Sequence, residues 1–200
     1  MNRLIFATNN SHKLQEVSSM LSGLFDITGL SQTDFSGDIP ETAETLQGNA
    51  LMKAKYIYNI LGENCFADDT GLEVEALGGE PGVYSARYAG TPVNSQKNID
   101  KLLKKLKNID NRTASFRTVI ALIFEGQTHF FEGTVKGTIT TEQHGDKGFG
   151  YDSVFVPEGY DRTFAQMTDD EKNSISHRSR AVAKLVDFLK SKTQQQPTHI

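Results

Sequence analysis

The chain has 200 residues, enough for one folding unit with a sizeable core. Its 21 Lys and Arg stand against 25 Asp and Glu, a net charge of −4, which speaks against a broad basic surface for nucleic acid but allows local cations to hold a small anion. No apolar run has the length of a membrane span, MNRLIFATNN lacks a signal-peptide cleavage pattern, and Cys65, the lone cysteine, cannot form an intramolecular disulfide, so a cytoplasmic protein is expected.

Residues 3–7 (RLIFA) read as a first strand, and residues 12–21 follow as a helix with Leu14, Val17 and Leu21 on one face. A polar, glycine-spaced stretch over 31–44 precedes a second helix over 45–61, where Leu46, Ala50, Lys53, Ala54, Ile57 and Leu61 carry helical spacing. Cys65, Phe66 and Ala67 read as the end of a buried strand, with Asp68 and Asp69 placed where an α/β sheet opens its ligand crevice. A third helix is expected over 95–106, burying Ile99, Leu102, Leu103 and Leu106 and turning the lysines of KLLKKLK to solvent. Residues 113–124 and 128–141 are rich in β-branched and aromatic side chains, and Glu125-Gly126-Gln127 joins them as an antiparallel hairpin, so the sheet is mixed. A last helix runs over 177–190, with Ala181, Leu185, Phe188 and Leu189 apolar. The reading is one α/β domain over 1–192 with helices flanking a long mixed sheet, and a polar tail over 193–200.

Three clusters carry chemistry. Adjacent carboxylates repel, and the simplest relief for Asp68 and Asp69 is a shared cation or proton; Mg²⁺ suits such oxygen donors, with Thr70, Glu73 and Glu75 close in sequence. The loop Thr8-Asn9-Asn10-Ser11-His12-Lys13 leads into a helix whose free N–H groups and dipole favour an anion, and Lys13 adds a full charge. It lacks the glycines of a Walker A loop, and a plain helix cap accounts for Asn10 and Ser11 equally well. In Gly148-Phe149-Gly150-Tyr151-Asp152 glycines alternate with aromatics, which lets a flat ligand approach or makes a tight turn. Lys172, His177 and Arg178 gather before and at the start of the last helix, where cations oppose the dipole and so suggest an electron-rich ligand. Phosphate-binding, metal-binding and heterocycle-reading groups together suit hydrolysis of a nucleoside triphosphate.

These residues resemble the inosine triphosphate pyrophosphatase family, the Ham1-like enzymes of non-canonical purine nucleotides. The resemblance spans nearly the whole chain, through Thr8-x-Asn10-x-x-Lys13, Glu41-Thr42, Asn49-Ala50 with Lys53-Ala54, residues 67–72 (ADDTGL), residues 81–88 (PGVYSARY), Gly148 to Asp152 and Ser176-His177-Arg178. It implies an elongated two-lobed α/β fold with a deep central cleft, usually a homodimer, cleaving ITP, dITP and XTP to the monophosphate and pyrophosphate with Mg²⁺. By the same resemblance, Thr8 through Lys13 would bind the triphosphate, Glu41 and Asp69 the metal, and Asp69 would accept the proton of the attacking water. Thr70 would join the substrate contacts, Phe149 would stack on the purine beside Gly150 and Tyr151, and Asp152, Lys172, His177 and Arg178 would recognise the base. Asn9 stands where members often carry glycine, and Gly48 where many carry glutamate. Two other readings compete: a related pyrophosphatase of pyrimidine nucleotides, and a non-catalytic nucleotide-binding module.

Overall fold

In the computed structural model, which describes residues 3–194, strand β1 (Arg3–Phe6) is an inner strand of a six-stranded sheet, next to the edge strand, with three of its four side chains apolar and buried. The sheet order is β2-β1-β3-β4-β5-β6, with β2 spanning Asp26–Gly29, β3 Cys65–Val74, β4 Thr113–Phe124, β5 Gln127–Ile139 and β6 Phe155–Pro157. β1 pairs parallel with β2 and β3, and every later pairing is antiparallel, which makes the sheet mixed. The β4–β5 hairpin closes on Glu125 and Gly126, both at positive φ (51° and 76°), the backbone a two-residue turn needs to match strand twist.

Among the described residues five helices flank the sheet: α1 (Ser11–Leu21), α2 (Leu46–Leu61), α3 (Ser95–Lys105), α4 (Asp169–Ile175) and α5 (His177–Gln194). Their starts are written in side chains. Asn10, Thr45 and Asn94 each accept a hydrogen bond from a first-turn N–H of α1, α2 and α3, and Thr168 with Glu171 forms a capping box on α4. No described helix is long and apolar enough to cross a membrane.

Side chains alternate across β3, and this divides the core. Phe66 packs with Leu4, Phe6, Val17 and Leu185 between the sheet, α1 and α5, while Cys65 and Ala67 pack with Ile5, Ala50 and Ile57 under α2. Cys65 is fully buried, as the buried-strand reading expects, and burial pushes its thiol up to about 12, which makes it an inert packing residue. The far half of β3, from Leu72 onward, belongs to a third cluster with Phe116, Leu102 and Phe155. Between these cores lie the polar residues 68–70.

Four expectations need correction. β3 does not end at Ala67 but runs on to Val74, paired throughout with β4, so Asp68 and Asp69 are mid-strand. Strands β2 and β6 and helix α4 were not anticipated. Glu73 does not flank the aspartates; it pairs with Arg117 at 3.0 Å, and Glu75 sits in an exposed 3-10 turn. The tail over 195–200 lies outside the described residues, and α5 already includes residues 193 and 194.

Candidate active site

Because β3 is extended through residues 68 and 69, the two side chains leave opposite faces of the sheet and take different direct partners, while the charges of Lys13 and Lys53 act on both. Asp68, 2% exposed, points with Phe66 toward α1 and α5. Its Oδ1 accepts from Lys13 Nζ (3.0 Å), and its Oδ2 accepts from Arg178 Nε (3.2 Å) and the Thr70 hydroxyl (3.4 Å). Burial would raise this carboxyl's pKa, but the charges of Lys13 and Arg178 overcome it and hold the group well below the usual carboxylate range. Arg178 also donates to Glu16 and Thr70, and Lys172 Nζ donates to the other Glu16 oxygen (2.6 Å) and to Asp152 Oδ2 (2.7 Å). The result is a chain of alternating charge, Lys13, Asp68, Arg178, Glu16, Lys172 and Asp152, in which each charge touches the opposite one.

Asp69 faces α2. Asn49 Nδ2 donates to its Oδ2 (3.2 Å), and Lys53 Nζ lies 3.9 Å from its Oδ1 while also donating to Glu41 (2.6 Å). Asn49 Oδ1 accepts from Ala43 N at 2.9 Å, which ties the Glu41 loop to the same helix. Burial raises the pKa of Asp69; Lys53 and Lys13 pull it down, and Glu41 pushes it up again. The Gly82–Arg87 turn closes this side. It lies so near β3 that a Cβ on Gly71 would meet Gly82 O at 2.7 Å, and it sends Arg87 to Glu41, with 3.8 Å between the charges. Gly48 likewise has no room for a side chain, since a Cβ there would lie 2.7 Å from that of Ala43, so no carboxylate fits at this position without a shift of the loop.

At the far end of the charge chain, Asp152 Oδ2 accepts from Phe149 N at 2.9 Å and fixes the glycine loop. Only glycine fits at 148, where φ is +71° and a Cβ would lie 2.1 Å from that oxygen. The Phe149 ring is half-buried with Lys172 Nζ 4.9 Å and Arg178 Cζ 5.5 Å from its centre, and the His12 imidazole lies stacked on it. His177 is buried against Phe116, the rings 4.6 Å apart, and its Nδ1 has no hydrogen-bond partner. Burial, then Arg178 and Lys172, press its pKa well below the ordinary histidine value, so it is a neutral ring rather than the cation expected from its place at a helix start.

Of the residues singled out by sequence, Lys13, Thr70, Asp152, Lys172 and Arg178 join one charge and hydrogen-bond network, and Glu41 and Asp69 meet around Lys53. Thr8 accepts from Asn10 N (3.1 Å), and Asn9, Asn10 and Ser11 form the exposed entry to α1. Gly150 (φ 61°) completes the glycine loop. Tyr151 turns its ring into the core and donates to Ser85 O at 2.7 Å, so its side chain is not brought to this network. Sequence reasoning missed Glu16 and Thr118, whose hydroxyl lies 2.7 Å from that of Thr70, and took Lys53 chiefly for a helix-face position. Glu16 follows Lys13 by three residues, so the two share a face of α1.

Among the described residues no group of three or more His, Cys, Asp or Glu gathers as a ready cage for a metal ion. Glu41 and Asp69 nevertheless supply two oxygen donors close enough to perturb each other, the sparse carboxylate set that suits Mg²⁺ when substrate phosphates complete its shell.

The chain is similar to known proteins over nearly its whole length. The sequence profile of the Ham1 family matches residues 4–188. The dITP/XTP pyrophosphatase of Porphyromonas gingivalis is 57% identical over 94% of this chain and 98% of its own length. That of Bacillus subtilis is 43% identical over 96% and 98%. The solved Staphylococcus aureus Ham1 protein superposes with a TM-score of 0.86 at 38% identity, covering 96% of this chain and 100% of that one. The chain belongs to the Ham1 family.

Proposed function

We propose that the protein is a hydrolase that cleaves non-canonical purine nucleoside triphosphates, ITP, dITP and XTP, to the monophosphate and pyrophosphate, clearing them before they enter DNA or RNA. The observation that carries this reading is the unbroken chain of charges from Lys13, at the anion-favouring start of α1, to Asp152 and Lys172 beside the Phe149 ring. One end suits phosphates and the other a heterocycle, and the relatives named dITP/XTP pyrophosphatase support the pairing.

In this reading the loop from Thr8 to Lys13 binds the triphosphate through N–H groups and the Lys13 ammonium. Glu41 and Asp69 would hold Mg²⁺, which when bound offsets charge on the reacting phosphates. Asp69 accepts the proton of the water that attacks the α-phosphorus, its carboxylate held in place by Asn49 and Lys53. Little covalent work is needed, since phosphoryl transfer depends mainly on positioning and charge. Phe149 stacks on the purine, while Arg178 and His177 with Asp152 and Lys172 read its edge. Donors aimed at a 6-keto oxygen favour hypoxanthine and xanthine, and the 6-amino group of adenine would leave a donor facing a donor. Discrimination of that kind reaches roughly 10⁴-fold. A homodimer working in the cytoplasm completes the reading and is supported by the family resemblance.

The test is pyrophosphate release from ITP, XTP, GTP, ATP and dTTP at equal concentration, with Mg²⁺ present or chelated. Strong Mg²⁺-dependent release confined to ITP and XTP is expected. Comparable turnover of GTP would defeat the specificity argument, preference for dTTP would point to a pyrimidine pyrophosphatase, and binding without release would leave only a recognition module.

A further inference from the structure

The imidazole of His12 belongs by sequence to the phosphate loop, yet its ring lies on Phe149, with centroids 5.2 Å apart and planes within 17° of parallel. Among the described residues it makes no hydrogen bond or ion pair, and its side chain is exposed on the first turn of α1. A phosphate ligand would be expected to aim where Lys13 aims, toward the Asp68 side of the sheet. His12 instead covers the aromatic surface that the proposed function gives to the purine.

We propose that His12 is a base-stacking residue: with Phe149 it forms an aromatic clamp that closes on the two faces of the purine, so that the phosphate loop itself contributes to base selection. The proposal rests on the reading of Phe149 as the purine's stacking partner. Two rings gripping a base must stand about 7 Å apart, given contact separations of about 3.5 Å on each side. The pair must therefore open by about 2 Å, and the half that yields is the His12 side chain, which turns about its own bonds while Asp152 holds the Phe149 backbone. His12 is exposed on the first turn of α1. Beside the pair lies a cavity of about 450 Å³ whose wall includes Glu16, Phe149 and Asn173. A flat heterocycle fits between the two rings with this space beside it.

The experiment compares His12→Ala, His12→Phe and Phe149→Ala with the unaltered enzyme, measuring KM and kcat for ITP with Mg²⁺ and inhibition by inorganic tripolyphosphate, a probe without a base. Loss of one stacking partner is expected to raise KM for ITP about 10-fold or more in His12→Ala, with a smaller effect on kcat. Tripolyphosphate inhibition should stay within about 2-fold, since stacking has no part in it, and His12→Phe should recover most of the lost affinity. An unchanged or lowered KM in His12→Ala would overturn the clamp and make His12 a mere cover on Phe149. Weakened tripolyphosphate inhibition in step with KM would return His12 to the phosphates, and failure of His12→Phe to recover KM would also overturn it. If Phe149→Ala leaves KM unchanged, the stacking role of Phe149 falls and the clamp with it; if only Phe149→Ala raises KM, the clamp alone falls.

Discussion

Replacing Asp68 by Asn removes the one negative charge shared by Lys13 and Arg178 while keeping nearly the same shape. Asp68 and Arg178 are 2% and 1% exposed, so the change leaves a buried guanidinium with Glu16 as its remaining carboxylate. Removing one partner of a buried ion pair costs about 3–5 kcal/mol, because the charge left behind has given up its water. In a chain of this size each kcal/mol moves Tm by about 2–4 °C, so a fall of about 6–20 °C is expected by calorimetry at pH 7. The pH dependence gives a sharper test. A carboxyl whose folded-state pKa is depressed contributes stability that is complete above its unfolded value, about 3.9, and is lost as pH falls toward the folded value. The gap between the two proteins should therefore be full at pH 7 and narrow below about pH 4. A Tm within about 2 °C of the unaltered protein at pH 7, or a gap that stays constant down to pH 3, would refute the claim that Asp68 neutralises this part of the site.

Asp69→Asn should behave in the opposite way. A carboxyl whose folded pKa is raised is a burden once pH exceeds that value, so the variant should melt at the same temperature or higher at pH 7 while losing about 10²–10⁴ in pyrophosphate release. Gly133→Ala would place a Cβ 2.1 Å from His177 O and 2.6 Å from Ala181 N, both backbone, forcing the start of α5 away from β5. A cost of about 1–3 kcal/mol in denaturant unfolding, with a raised KM for ITP, is expected, and wild-type values for both would show that α5 tolerates the shift. His177, with its pKa pressed well below the ordinary value, should keep constant ring chemical shifts between pH 6 and 8 by NMR, and the stability it confers should decline only as pH falls below the ordinary histidine range. Titration of its ring near pH 6.5 would contradict the burial described.

The long, strongly patterned elements were legible. The β4–β5 hairpin announced itself through its β-branched runs and Glu125-Gly126, and α1, α2, α3 and α5 through apolar periodicity. Strands β2 and β6 were not, because four and three residues are too few to show a period. Helix α4 has seven mostly polar residues and no apolar face to find, yet Thr168 and Glu171 carry the capping-box spacing that could have revealed it. Reading Asp68 and Asp69 as a strand end followed from the rule that buried strands are apolar. Here opposite charges from Lys13, Arg178 and Lys53 let two carboxylates stay inside one. The charge chain joins residues up to 162 positions apart, Glu16 to Arg178, and no local pattern reports such a contact.

The alternation along β3 also bears on how the gene can change. Adding or deleting one residue in β3 before Asp68 would carry each aspartate through the sheet, giving Asp68 the company of Asn49 and Lys53 and leaving Asp69 beside Arg178. The composition would be intact and both chemistries lost, since the base would sit in the ion-pair network and the counter-charge in the place of the base. Changes of length near this strand therefore have to fall in the turns that bound it, around Glu63-Asn64 and Gly78-Gly79, where an extra residue leaves the parity of residues 65–74 untouched.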